Sequence, residues 1–77
     1  MSIHVRYFAS LRETMGRMEE RLSPDGLLTV SDVWKAVHQG QTLPDQLLCA
    51  VNMAYAKPES PVQDGDEVAF FPQVTGG

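Results

Sequence analysis

The sequence predicts an α+β domain in which a mixed sheet of four to five strands packs on one main helix. Two observations support this class. Stretches with polar and apolar residues in alternation occur near the beginning and the end of the chain, and one stretch with helical spacing lies between them. A chain of 77 residues holds one domain and leaves no room for a separate catalytic lobe. We therefore expect it to act together with partner proteins.

The first part of the chain has the pattern of two strands joined by a short helical turn. Residues 2–8 alternate, which is typical of a half-buried strand. Residues 9–15 form a helical turn closed by Gly16, and residues 17–22 form a charged second strand. These elements predict an N-terminal pair of strands.

The main helix begins after Thr29, a good N-cap, with Asp32 placed to complete a capping box. Apolar residues follow at helical spacing, and the predicted helix continues to Gly40. The apolar face includes Trp34, which we assign to the core. In so short a chain only a sheet can cover this face.

The second part of the chain predicts three more strands. Residues 47–52 form a buried strand, residues 53–56 a short pairing strand, and residues 67–71 a strand that ends at Pro72. We assign residues 72–77 to a flexible C-terminal tail.

This order of elements fits the β-grasp (ubiquitin-like) fold, in which a sheet wraps around one helix. The first and last strands of such a sheet lie side by side at its centre, as a right-handed parallel crossover requires. The whole chain, residues 1–77, is then one β-grasp domain, and its tail leaves from a central strand.

The composition indicates which kinds of partner and which cellular compartment to expect. The net charge is −4 and the six basic residues are scattered, so we expect no nucleic-acid partner. The longest apolar run covers only residues 47–51, so we expect no membrane span. An acidic surface suits docking onto a basic protein. The single cysteine, Cys49, cannot form an internal disulfide, which favours a reducing compartment and a cytoplasmic location.

The pair Gly76-Gly77 is the feature with the clearest chemical use. A carboxylate is a poor electrophile, so a terminal carboxylate becomes reactive only after activation, normally by adenylation. Glycine has no Cβ, and a Gly-Gly end can therefore enter a narrow active site of another protein. Terminal glycines are often merely a frayed end, but here they follow residues 70–75, which continue from a predicted central strand, and the chain offers no other chemistry. We therefore interpret Gly77 as the reacting residue and Gly76 as the residue that allows passage.

Four stretches resemble the small, sulfur-carrier subunit of molybdopterin synthase, a MoaD/ThiS-like ubiquitin-fold family. They are residues 64–72 (DGDEVAFFP), 74–77 (VTGG), 48–52 (LCAVN) and 5–9 (VRYFA). The FFP-x-VT segment is the most specific, because thiamin sulfur carriers share a similar acidic turn and also end in Gly-Gly. Gln73 departs from the family, which often has a second proline there.

The resemblance implies a carrier with no catalytic machinery and no bound cofactor of its own. An E1-like enzyme would use ATP to adenylate Gly77, and sulfur transfer would convert it to a thiocarboxylate. The carrier would insert its tail into the large (catalytic) subunit and donate sulfur to cyclic pyranopterin monophosphate, building the molybdopterin dithiolene. The family assembles as a heterotetramer with two carriers on a dimer of large subunits.

An exposed aromatic patch beside the tail is the predicted docking surface. Phe8 and Phe71 have the parity opposite to the core residues of their strands, so they point away from the helix. With Leu11 they form a predicted partner-binding patch, since aromatic anchors are favoured at interfaces. The tail adds further predicted partner contacts at Pro72, Val74 and Thr75.

The remaining reactive residue types are assigned to structure. Cys49 lies in an apolar run and is predicted to be a core residue with a raised pKa. His4 and His38 are isolated, and Asp64 and Asp66 belong to an acidic turn, so no metal site is predicted.

Two other carrier roles use the same tail. The chain could serve thiamin synthesis or another sulfur pathway, or it could be a ubiquitin-like modifier that is conjugated to lysines. An adaptor domain with an inert end is the structural alternative, and it predicts that deleting Gly77 leaves function intact.

Overall fold

The computed structural model describes residues 1–16 and 19–72. It contains five strands and two helices, in the predicted order. In chain order they are β1 (Ile3–Tyr7), α1 (Ser10–Met15), β2 (Glu19–Leu22), α2 (Val30–Val37), β3 (Leu47–Val51), β4 (Ala54–Ala56) and β5 (Glu67–Pro72). Among the described residues, no helix is long and apolar enough to cross a membrane.

The five strands form one mixed sheet in the order β2-β1-β5-β3-β4. β1 and β5 pair in parallel, from His4 opposite Glu67 to Tyr7 opposite Phe70, and all other pairs are antiparallel. The first and last strands therefore lie side by side, and β5 is the central strand. This arrangement confirms the predicted β-grasp fold.

The core lies between α2 and one face of the sheet, which we call the inner face. Alternate residues of β1 and β5 are buried there, since successive side chains of a strand point to opposite faces. The largest fully buried side chains are Tyr7, Phe70, Ile3, Val5, Val30, Val33 and Val68. Trp34 is also buried and its indole packs edge-on against Phe70, with ring centroids 4.9 Å apart. The core assignment of Trp34 is confirmed.

The start of α2 has the predicted capping box. The Asp32 amide donates to Thr29 Oγ1 at 3.2 Å, and the Thr29 amide donates to Asp32 Oδ2 at 3.1 Å. The helix ends at Val37, before the predicted limit at Gly40. It ends there because Gln39 and Gly40 take positive φ angles of 55° and 86°, which a right-handed helix cannot continue.

Candidate functional site

Strand β5 extends two residues beyond its pairing with β1. The pairing with β1 ends at Phe70, whose carbonyl accepts a hydrogen bond from the Phe8 amide at 3.1 Å. The pairing with β3 continues for two residues, to Pro72 opposite Leu47. The sequence predicted that Pro72 is the first residue of the tail. In the structure Pro72 is instead the last residue of β5. Proline is tolerated there because β5 has only one neighbouring strand at that point.

The predicted reactive tail comes after Pro72 in the sequence. Val74, Thr75, Gly76 and Gly77 lie outside the described residues. Their roles therefore stay predictions, and what the structure supplies is the place and the strand from which the tail begins.

Phe8 and Phe71 lie on the outer face of the sheet, the face opposite α2. Phe8 is 38% exposed, and the Arg6 guanidinium carbon lies 5.2 Å from the centre of its ring. Phe71 is half-buried, and its ring centroid lies 6.0 Å from that of Tyr55. The predicted outward orientation of both residues is confirmed, and their role as partner contacts stays a prediction.

Leu11 does not belong to the exposed patch, and that part of the prediction is wrong. Its side chain is only 8% exposed and packs in the hydrophobic core. The chain turns sharply at Ala9, where φ is 56°, and α1 then packs against β1 and β5. Leu11 lies on the face of this short helix that covers the sheet.

The outer face contains a groove of about 400 Å³. Its apolar lining consists of Phe8, Ala50, Met53, Tyr55, Ala69 and Phe71. Ala50 and Ala69 pair across β3 and β5, and their small side chains leave the space between the larger ones open. The groove is a shallow apolar surface that reaches Phe71, the residue before Pro72.

Sequence reasoning missed Met53 and Tyr55, which are 92% and 82% exposed. Strand β4 has three residues, too few for an alternating pattern to show which face each side chain takes. The pairing of Tyr55 with Ala50 places it on the outer face. A two-residue hairpin loop after Val51 is the signal that could have revealed this placement.

Arg6 of β1 and Glu67 of β5 line the groove and pair with each other, and His4 connects Glu67 to Glu19 of β2. Arg6 Nη1 lies 3.6 Å from Glu67 Oε2, and His4 Nδ1 lies 3.8 Å from the same oxygen. His4 Nε2 is 3.0 Å from Glu19 Oε1. All of these groups are partly exposed, so the pairs contribute little to stability. The opposite charges of Arg6 and Glu67 balance each other beside the apolar lining.

Cys49 is a core residue, as predicted. It is buried, and its Sγ donates to the Ala56 carbonyl at 3.2 Å. Burial raises the pKa of the Cys49 thiol, and the nearby Glu59 carboxylate raises it further. A thiol held in its neutral form is a poor nucleophile.

The other reactive side chains have structural contacts. His38 stacks on Trp34 with ring centroids 3.8 Å apart. Asp66 holds the turn before β5, because its Oδ2 accepts from the Gln63 amide at 2.8 Å. In the part of the chain that the structure describes, no three His, Cys, Asp or Glu residues are grouped so that they could hold a metal ion.

The fold and the site together define a class, a ubiquitin-like domain whose central strand ends beside an apolar surface. Comparison with known proteins agrees with this class. SAMP1 of Haloferax volcanii, a small archaeal modifier protein, superposes with a TM-score of 0.77 at 29% identity, with 100% of both chains covered. Subunits 1 and 2 of the molybdopterin-converting factor from Helicobacter pylori form a solved complex. One of its chains has the same fold, with a TM-score of 0.65, 18% identity and 100% of both chains covered.

The sequence comparisons are more specific. The model of the ThiS family matches residues 5–77. The molybdopterin synthase sulfur carrier subunit of Escherichia coli (strain K12) is 38% identical over 97% of this chain and 99% of its own length. This chain belongs to the ThiS family, and it is similar over nearly its whole length to a molybdopterin synthase sulfur carrier subunit.

Proposed function

We propose that this chain is the sulfur carrier subunit of a molybdopterin synthase, with Gly77 as the residue that carries sulfur. The observation that carries the proposal is the 38% identity to the Escherichia coli carrier, which covers almost all of both chains. The position of β5 supports it, because a tail that starts from the central strand at Pro72 can extend away from the sheet.

The chemistry begins with activation of the terminal carboxylate. An E1-like enzyme joins the Gly77 carboxylate to the AMP part of ATP, with release of pyrophosphate, which turns the carboxyl carbon into an electrophile. A sulfide-level nucleophile, in the simplest case hydrosulfide, then attacks this carbon and displaces AMP, which leaves a thiocarboxylate. This chain contributes only the carboxylate and a Gly-Gly end without side chains, so ATP is bound by the activating enzyme.

Transfer of the sulfur takes place in the larger, catalytic subunit of the synthase. The tail enters that subunit, and the thiocarboxylate sulfur displaces an oxygen substituent from a carbon of cyclic pyranopterin monophosphate. Water then cleaves the bond between this sulfur and the Gly77 carbonyl, so the tail leaves as a carboxylate, and two such donations form the dithiolene of molybdopterin. The apolar groove beside Phe71 supports this step, since a partner that takes up the tail must also cover the surface from which the tail starts. Two carriers on a dimer of larger subunits, in the cytoplasm, complete the proposed assembly.

The test is an intact-mass measurement of the chain coexpressed with its activating enzyme and a sulfur source. We expect a mass gain of one oxygen-to-sulfur exchange at Gly77, and loss of that gain when the larger subunit and the pyranopterin are added. A variant that lacks Gly77 is the matched control and should show no gain. An unchanged mass under conditions in which a known carrier is loaded contradicts the proposal.

A second candidate is a protein modifier, which the 29% identity and TM-score of 0.77 to SAMP1 favour. In that role the activated Gly77 would form an isopeptide bond with a lysine of another protein. Mass spectrometry of conjugates separates the two functions, because only a modifier leaves its Gly-Gly end attached to lysines. A carrier for thiamin synthesis would be loaded in the same way but would not support molybdopterin formation with the larger subunit.

A further inference from the structure

The turn between β3 and β4 has an unusual residue at its tip. Val51 pairs with Ala54, so Asn52 and Met53 form a two-residue hairpin loop, and both have positive φ angles, 51° and 71°. Loops of this kind prefer Asn at the first position and Gly at the second. Asn52 follows the preference. Met53 places a long side chain in a backbone conformation that favours glycine.

The turn is held by Asn52 rather than by Met53. The Asn52 amide donates to the Glu67 carbonyl at 2.8 Å, and the Glu67 amide donates to Asn52 Oδ1 at 3.0 Å. Asn52 Nδ2 also donates to Asp66 Oδ1 at 3.0 Å. These three bonds attach the hairpin loop to the start of β5. The Met53 side chain is 92% exposed, so folding gains little from it and the turn would be less strained with glycine.

Met53 lies at the edge of the outer-face groove, which it lines together with Tyr55 and Phe71. A flexible thioether adapts well to the surface of a partner. Arg6 and Glu67 pair with each other beside the groove, so the main interaction that the groove offers a partner is apolar contact. The groove is also continuous with Phe71, at the end of β5 from which the tail leaves.

We propose that Met53 is a specificity-determining contact that inserts into an apolar pocket on the larger synthase subunit. This inference rests on the proposed function, because that function names the partner that receives the tail. Strain in the backbone at Met53 is then retained because it directs an apolar side chain at that partner. Removing the side chain should weaken docking without weakening the fold, whereas removing a side chain that is only structural would lower stability and affinity together.

The experiment compares three variants of the full chain by calorimetric titration with the larger subunit and by thermal unfolding. Met53→Gly should bind about tenfold more weakly, while its unfolding midpoint stays unchanged or rises by up to about 4 °C. Met53→Leu keeps an apolar side chain and should stay within about threefold of the original affinity. Leu28→Asn is the matched control, since Leu28 is 72% exposed and does not line the groove. Its affinity should not change.

The inference is overturned if Met53→Gly binds as tightly as the original chain, or if its unfolding midpoint falls along with its affinity. It is also overturned if the variant changes only the self-association of the carrier, measured by sedimentation, because the groove would then serve a second copy of this chain. Failure of the proposed function has a different signature. In that case the unsubstituted, sulfur-loaded chain transfers no sulfur to the pyranopterin in the presence of the larger subunit.

Discussion

The two faces of one sheet have opposite roles in this molecule. On the inner face, Val68 and Phe70 of β5 are fully buried beneath α2. On the outer face the same strand presents Ala69 and Phe71 to an open groove. Since side chains of a strand alternate, one strand supplies both surfaces. The inner face therefore supplies the stability of the fold, whereas the outer face is available for a partner.

The largest expected effect is on the inner face. Phe70→Ala should lower the free energy of unfolding by about 3–5 kcal/mol, because it removes a fully buried aromatic ring and leaves a cavity. Denaturant unfolding measures the change. If the alanine variant is already unfolded in buffer, the milder Phe70→Leu variant provides a measurable loss of stability at the same position. A loss below about 1 kcal/mol would mean that the inner face is not the main source of stability.

Phe71, the next residue on the outer face, should matter more for affinity than for stability. Phe71→Ala should cost less than about 1.5 kcal/mol in unfolding free energy, because its ring is only half-buried. Affinity for the larger synthase subunit should fall about thirtyfold, the effect of losing an aromatic anchor worth about 2 kcal/mol. Leu28→Ala serves as a control that leaves affinity unchanged. Equal affinities of the Phe71→Ala variant and the original chain would argue against the outer face as the docking surface.

A smaller effect is expected where α2 begins above the inner face. Thr29→Ala removes the acceptor for the Asp32 amide and should cost about 1 kcal/mol of unfolding free energy. Affinity for the larger subunit should not change, since Thr29 does not line the groove. Calorimetric titration beside denaturant unfolding checks both parts. If the Thr29→Ala variant lost affinity but kept its stability, the two faces would not have separate roles in stability and binding.

The smallest effect is a pH dependence at the same cap. Hydrogen bonds from the backbone amides of Leu28 and Thr29 lower the pKa of Asp32 below its ordinary value of 3.8. A carboxyl whose pKa is lowered by folding stabilises the fold above its unfolded-state pKa, and that contribution is lost as the pH falls through the folded-state value. Asp32→Asn should therefore lower the unfolding midpoint at neutral pH, and its difference from the original chain should shrink below pH 3.8. A difference that stays constant with pH would mean that the charge of Asp32 does not matter.

The sequence predicted the fold well because its signals are local. The alternation in β1 and the Thr29-Asp32 capping box each lie within a few residues, and β1 and the start of α2 formed where expected. Parity along β5 also predicted that Phe71 faces outward. These inferences need only the period of a strand or the geometry of one helical turn.

The site was predicted less completely, since it depends on contacts between distant segments. Leu11 was misplaced because a positive φ at Ala9 changes the direction of α1. Tyr55 was missed because its orientation follows from pairing with Ala50 rather than from a pattern within β4. The roles of Gly76 and Gly77 depend on the chemistry of a terminal carboxylate rather than on the fold, and they stay predictions.

The central position of β5 has a mechanical consequence. A partner that pulls on the tail applies force along β5, which is bonded on one side to β1 over Glu67 to Phe70 and on the other to β3 over Val68 to Pro72. Force along a strand loads its cross-strand hydrogen bonds in shear, so they resist together rather than opening one at a time. Under the proposed function, the larger subunit could therefore pull on the tail while the sheet of this chain stays intact.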